Sequence, residues 1–287
     1  VVEAWRVGDL RETGVTRHTI ETRMLVPYRG IRADVLADDL RARALLFAPR
    51  LGPGAFYSHA TAAGLWGAPL PAWATRDPRL HVSYPAGHRA PDARETQGHE
   101  LQVGSSDTVI LDGIPIASPA RTVRDLATIL QVPDLVAVID AMLRAGVVDR
   151  AALDRMAAVR RFRWRRRVLA AVELADPAAE TRPESLLRVA YAFAGLPPTL
   201  ANDDIRDAHG RFVARPDLRF RGFPVLSEYD GDGHRTDTRQ WRRDVERYAA
   251  LEDLGFEIVR VTADDIPHFE RAIAHARTRL LRHGWRP

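Results

Sequence analysis

Apolar positions change their period along the chain, and those changes mark out its elements. Near the start, Leu10, Val15, Ile20 and Met24 supply anchors for two short helices between Val7 and Arg32, interrupted at Gly14. Thr16 is suited to capping the second helix, Arg17 to Arg23, and the exit from Leu25 to Ile31 has the form of a β wing. From Leu51 to about Gln131 the texture alters. Tyr57 to Gly67 reads as a small-residue helix ending at glycine, and Leu80–Tyr84 and Thr108–Leu111 alternate like strands. Pro119 fits the first turn of another helix. Helical patterns follow over Pro133–Gly146 and Arg150–Val159. The last part opens with a helix from Pro183, stopped by Pro197-Pro198. A strand near Asp204–Arg206, strands Phe212–Phe220 and Val225–Tyr229, and a helix from Asp237 to Leu254 come next. Gly255 ends that helix, before a strand Glu257–Val261 and a helix Ile266–Arg282. The order is αβββαβα, and the fold class predicted for the chain is α/β in the broad sense, α+β in detail.

At 287 residues the chain is too long for one core, and two or three domains are expected. The texture places them at 1–50, a winged-helix-like segment, 51–177, a middle α/β region, and 178–287, with Asp176-Pro177 as the linker. Cysteine is absent, which excludes disulfides, thiolate zinc sites and a cysteine nucleophile. All 42 basic residues are arginine, so any phosphate chemistry here works without lysine. A net charge of +4 is too small to argue nucleic-acid binding unaided, and local clusters must carry that case. No apolar run reaches membrane-spanning length and the opening residues lack a signal-peptide pattern, so a cytoplasmic protein with no membrane partner is expected.

Four clusters hold candidate chemistry. In a helix-turn-helix, the second helix of the first segment would present Arg17, His18 and Arg23 to DNA. Residues 160–167 place six arginines in eight positions around Phe162 and Trp164. Arg163 and Arg165 are there the candidate phosphate and base contacts, the alternative being a solvated helix face at a domain boundary. His59 and His81 are candidate ligands or bases, but no carboxylate motif accompanies them, and packing or surface roles are expected. The strongest cluster lies between Pro216 and Arg247. Asp217 and Glu228 fall on two neighbouring strands, followed by Asp230 and, in a glycine-rich turn, His234. Acids gathered at strand ends can hold a divalent metal against a phosphodiester. Salt bridges from Arg215 or Arg219 are the plainer alternative.

Glu184 in a helix, Pro216-Asp217 on a strand, and Glu228-Tyr229-Asp230-Gly231 with His234 resemble the PD-(D/E)XK nuclease superfamily. The likeness is greatest to its very-short-patch-repair-like branch, and Gln240, Asp244 and Arg247 on the following helix extend it over about the last hundred residues. Ser58-His59-Ala60-Thr61-Ala62-Ala63 and the stretch from Gly113 to Thr122 are similar to actinobacterial AbiEi-family antitoxin-like proteins, which implies an N-terminal winged helix. The first resemblance implies a restriction-endonuclease-like domain hydrolysing phosphodiester bonds with Mg²⁺ or Mn²⁺. It makes Asp217 and Glu228 metal ligands, with Glu184 in support. His234 becomes a base or phosphate contact, and Gln240, Asp244 and Arg247 phosphate or supporting groups. Asp230 stands where the superfamily has lysine, and a carboxylate cannot supply that charge. The function expected is a DNA endonuclease tied to repair or phage defence. The alternatives are a DNA-binding regulator on a degenerate nuclease core, or a toxin–antitoxin partner acting by protein contact.

Overall fold

Thr16 caps as its chemistry suggests: its hydroxyl accepts the Thr19 N–H at 3.2 Å and starts a helix. The computed structural model describes residues 2–88, 93–159, 161–230, 238–266 and 268–287. It divides into two compact units, 1–129 and 130–287, each mixing helices and sheet, so the fold is α+β. The expected boundaries after residues 50 and 177 are not where this division falls.

In the first unit, β1 (Ala4–Arg6) leads into α1 (Val7–Glu12), and α2 (Arg17–Thr22) into β2 (Ile31–Ala33). The two strands pair antiparallel, so the exit strand lies at Ile31–Ala33 rather than Leu25–Ile31, with a single bridge from Leu25 to Ala33. Next come α3 (Leu40–Phe47), β3 (Phe56–Tyr57), α4 (His59–Leu65) and α5 (Ala72–Arg76). Then follow β4 (Leu80–Pro85), β5 (Thr96–Leu101), β6 (Thr108–Leu111), β7 (Ile114–Ala117) and α6 (Pro119–Leu126). The helix expected from Tyr57 is therefore a two-residue strand followed by α4. Small residues let α4 approach closely: Ala60, Ala62 and Ala63 are buried, and a Cβ on Gly64 would lie 2.4 Å from a Leu40 methyl. The five strands run β5-β4-β3-β7-β6, with β4–β5 and β3–β7 parallel. Arg121 of α6, itself buried, donates at 2.7 Å to Asp125, Asp107 and the Gln102 carbonyl, fixing that helix to the loop beyond β5.

The second unit opens with α7 (Val132–Arg144), α8 (Arg150–Ala158), α9 (Arg165–Leu174) and α10 (Arg182–Phe193). There follow β8 (Thr199–Ala201), β9 (Ile205–Arg206), β10 (Phe212–Ala214), β11 (Leu218–Phe220) and β12 (Val225–Asp230). It closes with α11 (Thr238–Asp253), β13 (Glu257–Thr262) and α12 (Glu270–Arg282). The main sheet runs β13-β12-β11-β8, while β9 and β10 form a separate ribbon. The single strand expected over Phe212–Phe220 is cut in two at Arg215-Pro216-Asp217, where proline has no N–H for the ladder. The first sheet strand is Thr199–Ala201, not Asp204–Arg206.

Alternation assigns the two sheet faces. Leu218, Phe220, Val225, Val259 and Val261 join α10 and α12 in one core, and Tyr191 shares a 2.8 Å hydrogen bond with Ser227 there. Leu226 and Ile258 face the other way, toward Leu251 of α11 and the ribbon. Asp140 ties α7 to the helices that follow it. This buried carboxylate accepts from Ser185 and Arg188 of α10 and from the Asp176 N–H, each at 2.7 Å. Asp176 is thus an anchor rather than a free linker. Asp140→Ala would leave the Arg188 guanidinium buried without its counter-charge. We expect a loss of about 3–5 kcal/mol in urea unfolding; a loss below about 1 kcal/mol would show that Asp140 does not tie the helices.

Candidate functional site

Two steps of register build the site. Strands β11 and β12 pair antiparallel with Leu218 opposite Ser227 and Arg219 opposite Leu226, so one step further sets Asp217 opposite Glu228. Opposed residues of a pair share a face. That face is the one covered by α11, because Leu226 and Leu251 meet there. On the other side β12 runs parallel to β13, and Arg260 pairs with Glu228. Helix α11 turns Arg247 and Leu251 to the sheet, as their spacing suggests.

Both acids are constrained. Asp217 lies where the chain leaves Pro216, accepts the Tyr229 N–H at 2.6 Å, and passes its own carbonyl to the Asn202 N–H. Burial pushes its carboxyl up to about 7, the Tyr229 N–H pulling the other way, with Glu184 and Glu228 adding to the rise. Glu228 is 4% exposed, and burial raises its carboxyl too, against the pull of Tyr248 and Arg247. Its Oε2 accepts from the Tyr248 hydroxyl at 2.7 Å and from Arg247 at 2.9 Å. Its Oε1 is buried with no hydrogen-bond partner among the described residues. Arg215 and Arg219, the expected partners of these acids, are used elsewhere: Arg215 pairs with Asp204 at 2.8 Å and Arg219 with Asp203.

The other expected residues divide. Glu184 is brought near Asp217 but is fully engaged. It accepts from Thr181 at 2.7 Å and from the Glu180 N–H and Asn202 at 2.8 Å, which closes the start of α10 and makes it a positioning group. Asp230 ends β12 at the partly exposed rim, with the Arg260 guanidinium 3.8 Å away. His234 lies outside the described residues. Gln240 and Asp244 fall on α11, but their side chains are also outside the described set. Two groups at the site went unassigned by sequence reasoning. Tyr248 reads as a helix aromatic, yet its hydroxyl reaches Glu228, and the guanidinium of Arg260 lies 4.2 Å above its ring. Parallel strand pairing is what brings Arg260 there.

The basic candidates are less uniform than their composition. Arg17 is exposed and paired with Glu21 at 2.7 Å, and His18 and Arg23 are exposed on or beside α2. In the arginine run, Arg165 donates its Nε–H to the Ala157 and Val159 carbonyls at 3.1 Å, which ties it to the end of α8. Arg163 and Arg167 stack on Trp164, their guanidinium carbons 5.1 and 4.4 Å from the ring centre. Trp164 precedes α9 in the left-handed region (φ +66°), so the run is not one helix face.

His59 and His81 are both buried, and they meet a third histidine, His99. Each ring has a nitrogen within 4.8 Å of one on the other two. Burial lowers both the His59 and the His81 imidazoles, His59 well below its ordinary value.

No family model and no solved structure matches the chain. Uncharacterized proteins from two strains of Mycobacterium tuberculosis, CDC 1551 and H37Rv, are each 31% identical to it over 169 residues. The aligned part is 58% of this chain and 60% of each relative, so the chain spans about three-fifths of the proteins it matches. No helix among the described residues is long and apolar enough to cross a membrane.

The raised Asp217 carboxyl fixes a pH dependence. Between its ordinary 3.8 and about 7, the folded chain holds a proton that the unfolded chain has lost. Stability therefore falls as pH rises through that window and stays lowered above it. Asp217→Asn removes the linkage while an amide oxygen still accepts the Tyr229 N–H. In metal-free buffer it should stabilise the protein by about 1–3 kcal/mol at pH 8 and by much less near pH 4. Equal effects at the two pH values in urea titrations would contradict the assignment.

Proposed function

We propose that the second unit is a divalent-metal-dependent phosphodiesterase acting on DNA, built as a PD-(D/E)XK-type nuclease core. The observation that carries this reading is the cross-strand pair of Asp217 and Glu228, half-buried and buried, with Glu228 Oε1 lacking any partner among the described residues. Two carboxylates held out of water on one face repel one another unless a proton or a cation lies between them. Oxygen donors of this kind fit a hard ion such as Mg²⁺ or Mn²⁺, and Asp217 and Glu228 would hold it. When bound, such an ion polarises a phosphoryl oxygen and lowers the pKa of an attacking water.

The chain's own groups take the remaining roles. Asp217 gives up its proton as the site loads. Arg247 and Tyr248 hold Glu228 in one rotamer through its Oε2, leaving Oε1 for the ion. Glu184 fixes α10 and Asn202 rather than acting on substrate. Arg260 stands beside Asp230 and supplies positive charge where the superfamily has its lysine. Within this proposal the exposed basic residues of α2 are candidates for tracking the DNA backbone.

A second reading rests on one observation: Arg247 already neutralises Glu228. In that case the core is degenerate and the protein is a DNA-binding regulator. Full-length protein incubated with supercoiled plasmid in Mg²⁺, Mn²⁺ or EDTA separates the two. We expect metal-dependent nicking that is abolished in Asp217→Ala and reduced about 100-fold in Arg260→Ala. Plasmid bound but never cut in either metal would favour the regulator, and cleavage that persists in Asp217→Ala would remove this site from the chemistry.

A further inference from the structure

In the first unit, six polar side chains occupy what would ordinarily be apolar core. Ser58, His59 and Thr61 come from the start of α4, His81 and Ser83 from β4, and His99 from β5. All but His99 are less than 9% exposed. Strands β4 and β5 are parallel with Ser83 beside His99 and His81 beside Gln97, so His81, Ser83 and His99 share the face that α4 covers. The Thr61 hydroxyl accepts the His81 N–H at 2.8 Å, locking the helix onto the strand at this point. The three imidazoles are stacked: His59 and His99 centroids lie 3.8 Å apart, and His81 and His99 5.1 Å.

We propose that His59, His81 and His99 bind a late first-row divalent ion, zinc foremost, with one coordination position left for water or a small anion. Three observations support it. First, His81 Nδ1 and His99 Nε2 share a 3.0 Å hydrogen bond whose proton an ion would replace, and each ring offers a nitrogen within 4.8 Å of the other two. Zn–N bonds of about 2.0–2.1 Å at tetrahedral angles set nitrogens about 3.3 Å apart, so small ring rotations would complete the site. Second, the outer contacts of a metal-bound histidine are present. His59 Nδ1 lies 2.9 Å from Ser58 Oγ, which accepts from Ser83 Oγ at 2.6 Å, so an Nδ1–H donated to Ser58 turns the Nε2 lone pair inward. Third, His59 is held at φ +47° inside the core, a conformation a non-glycine residue adopts only when its surroundings enforce it. Imidazole nitrogen selects zinc and its neighbours over Mg²⁺, and among the described residues no carboxylate completes the group. Three protein ligands leave the site open, as in zinc centres that bind exchangeable ligands, not closed structural ones.

The test uses tag-free full-length protein, stripped with chelator and titrated with Zn²⁺ in competition with a chromophoric chelator. One zinc per chain is expected, with Co²⁺ giving the intense visible bands of a four-coordinate ion. His99→Ala, at the half-buried position, should weaken zinc at least 100-fold while circular dichroism stays native. Ser58→Ala should weaken it about 10–100-fold. His275→Ala, an exposed histidine of α12, should leave zinc affinity unchanged. If His99→Ala does not fold, His81→Gln with the cobalt spectrum of the wild type replaces it. Failure of the wild type to retain stoichiometric zinc, or unchanged affinity in the folded histidine variants, would overturn the proposal.

Discussion

Strand β12 is pinned from both sides, antiparallel to β11 and parallel to β13, and the second unit is arranged around that double pairing. Both of its faces are covered, by α10 and α12 on one side and α11 on the other. Each alternate residue therefore has a fixed destination: Val225 and Ser227 to one core, Leu226 and Glu228 to the other. A slip of one residue would turn Glu228 into the face packed by Val259 and Leu187, where a carboxylate has no partner. The parallel pairing also demands a crossover, and α11 is that crossover. The same element that closes the topology thus delivers Arg247 and Tyr248 to the acid.

The two buried polar clusters differ in the chemistry they suit. Asp217 and Glu228 offer hard oxygen donors in the second unit, where burial raises both carboxyls. His59, His81 and His99 offer nitrogen donors in the first, where burial lowers the His59 and His81 imidazoles. In ion pairs such as Arg188–Asp140 and Arg121–Asp125 a fixed opposite charge lies against the carboxylate, as Arg247 does against Glu228 Oε2. Buried polar groups of that kind hold elements together.

Much of the carboxylate site was legible. Asp217 and Glu228 bracket two apolar runs joined by the turn Gly222-Phe223-Pro224, and that pattern suffices to predict neighbouring strands. Glu184 was placed on the correct helix, but its position three residues after Thr181 marks a helix cap as readily as a ligand, and the cap is what its hydrogen bonds describe. Strand β8 was missed because three residues after a Pro-Pro pair carry no usable alternation. The packing of α7 on α10 carries no local signal, since Asp140 reaches Ser185 and Arg188 45 and 48 positions away.

What the sequence determined by itself is local: the cap at Thr16, the proline start of α6, the break at Pro216, the glycine stop at Gly255 and the alternation of β12. Each depends on backbone geometry within a few residues. The tertiary structure alone decided which strand is parallel to which, and so set Arg260 beside Glu228 and His99 against His81 and His59. Those partners are 32, 18 and 40 residues apart, with no periodic signal linking them. Only pairing across a sheet, under a helix that covers it, turns such isolated side chains into a site.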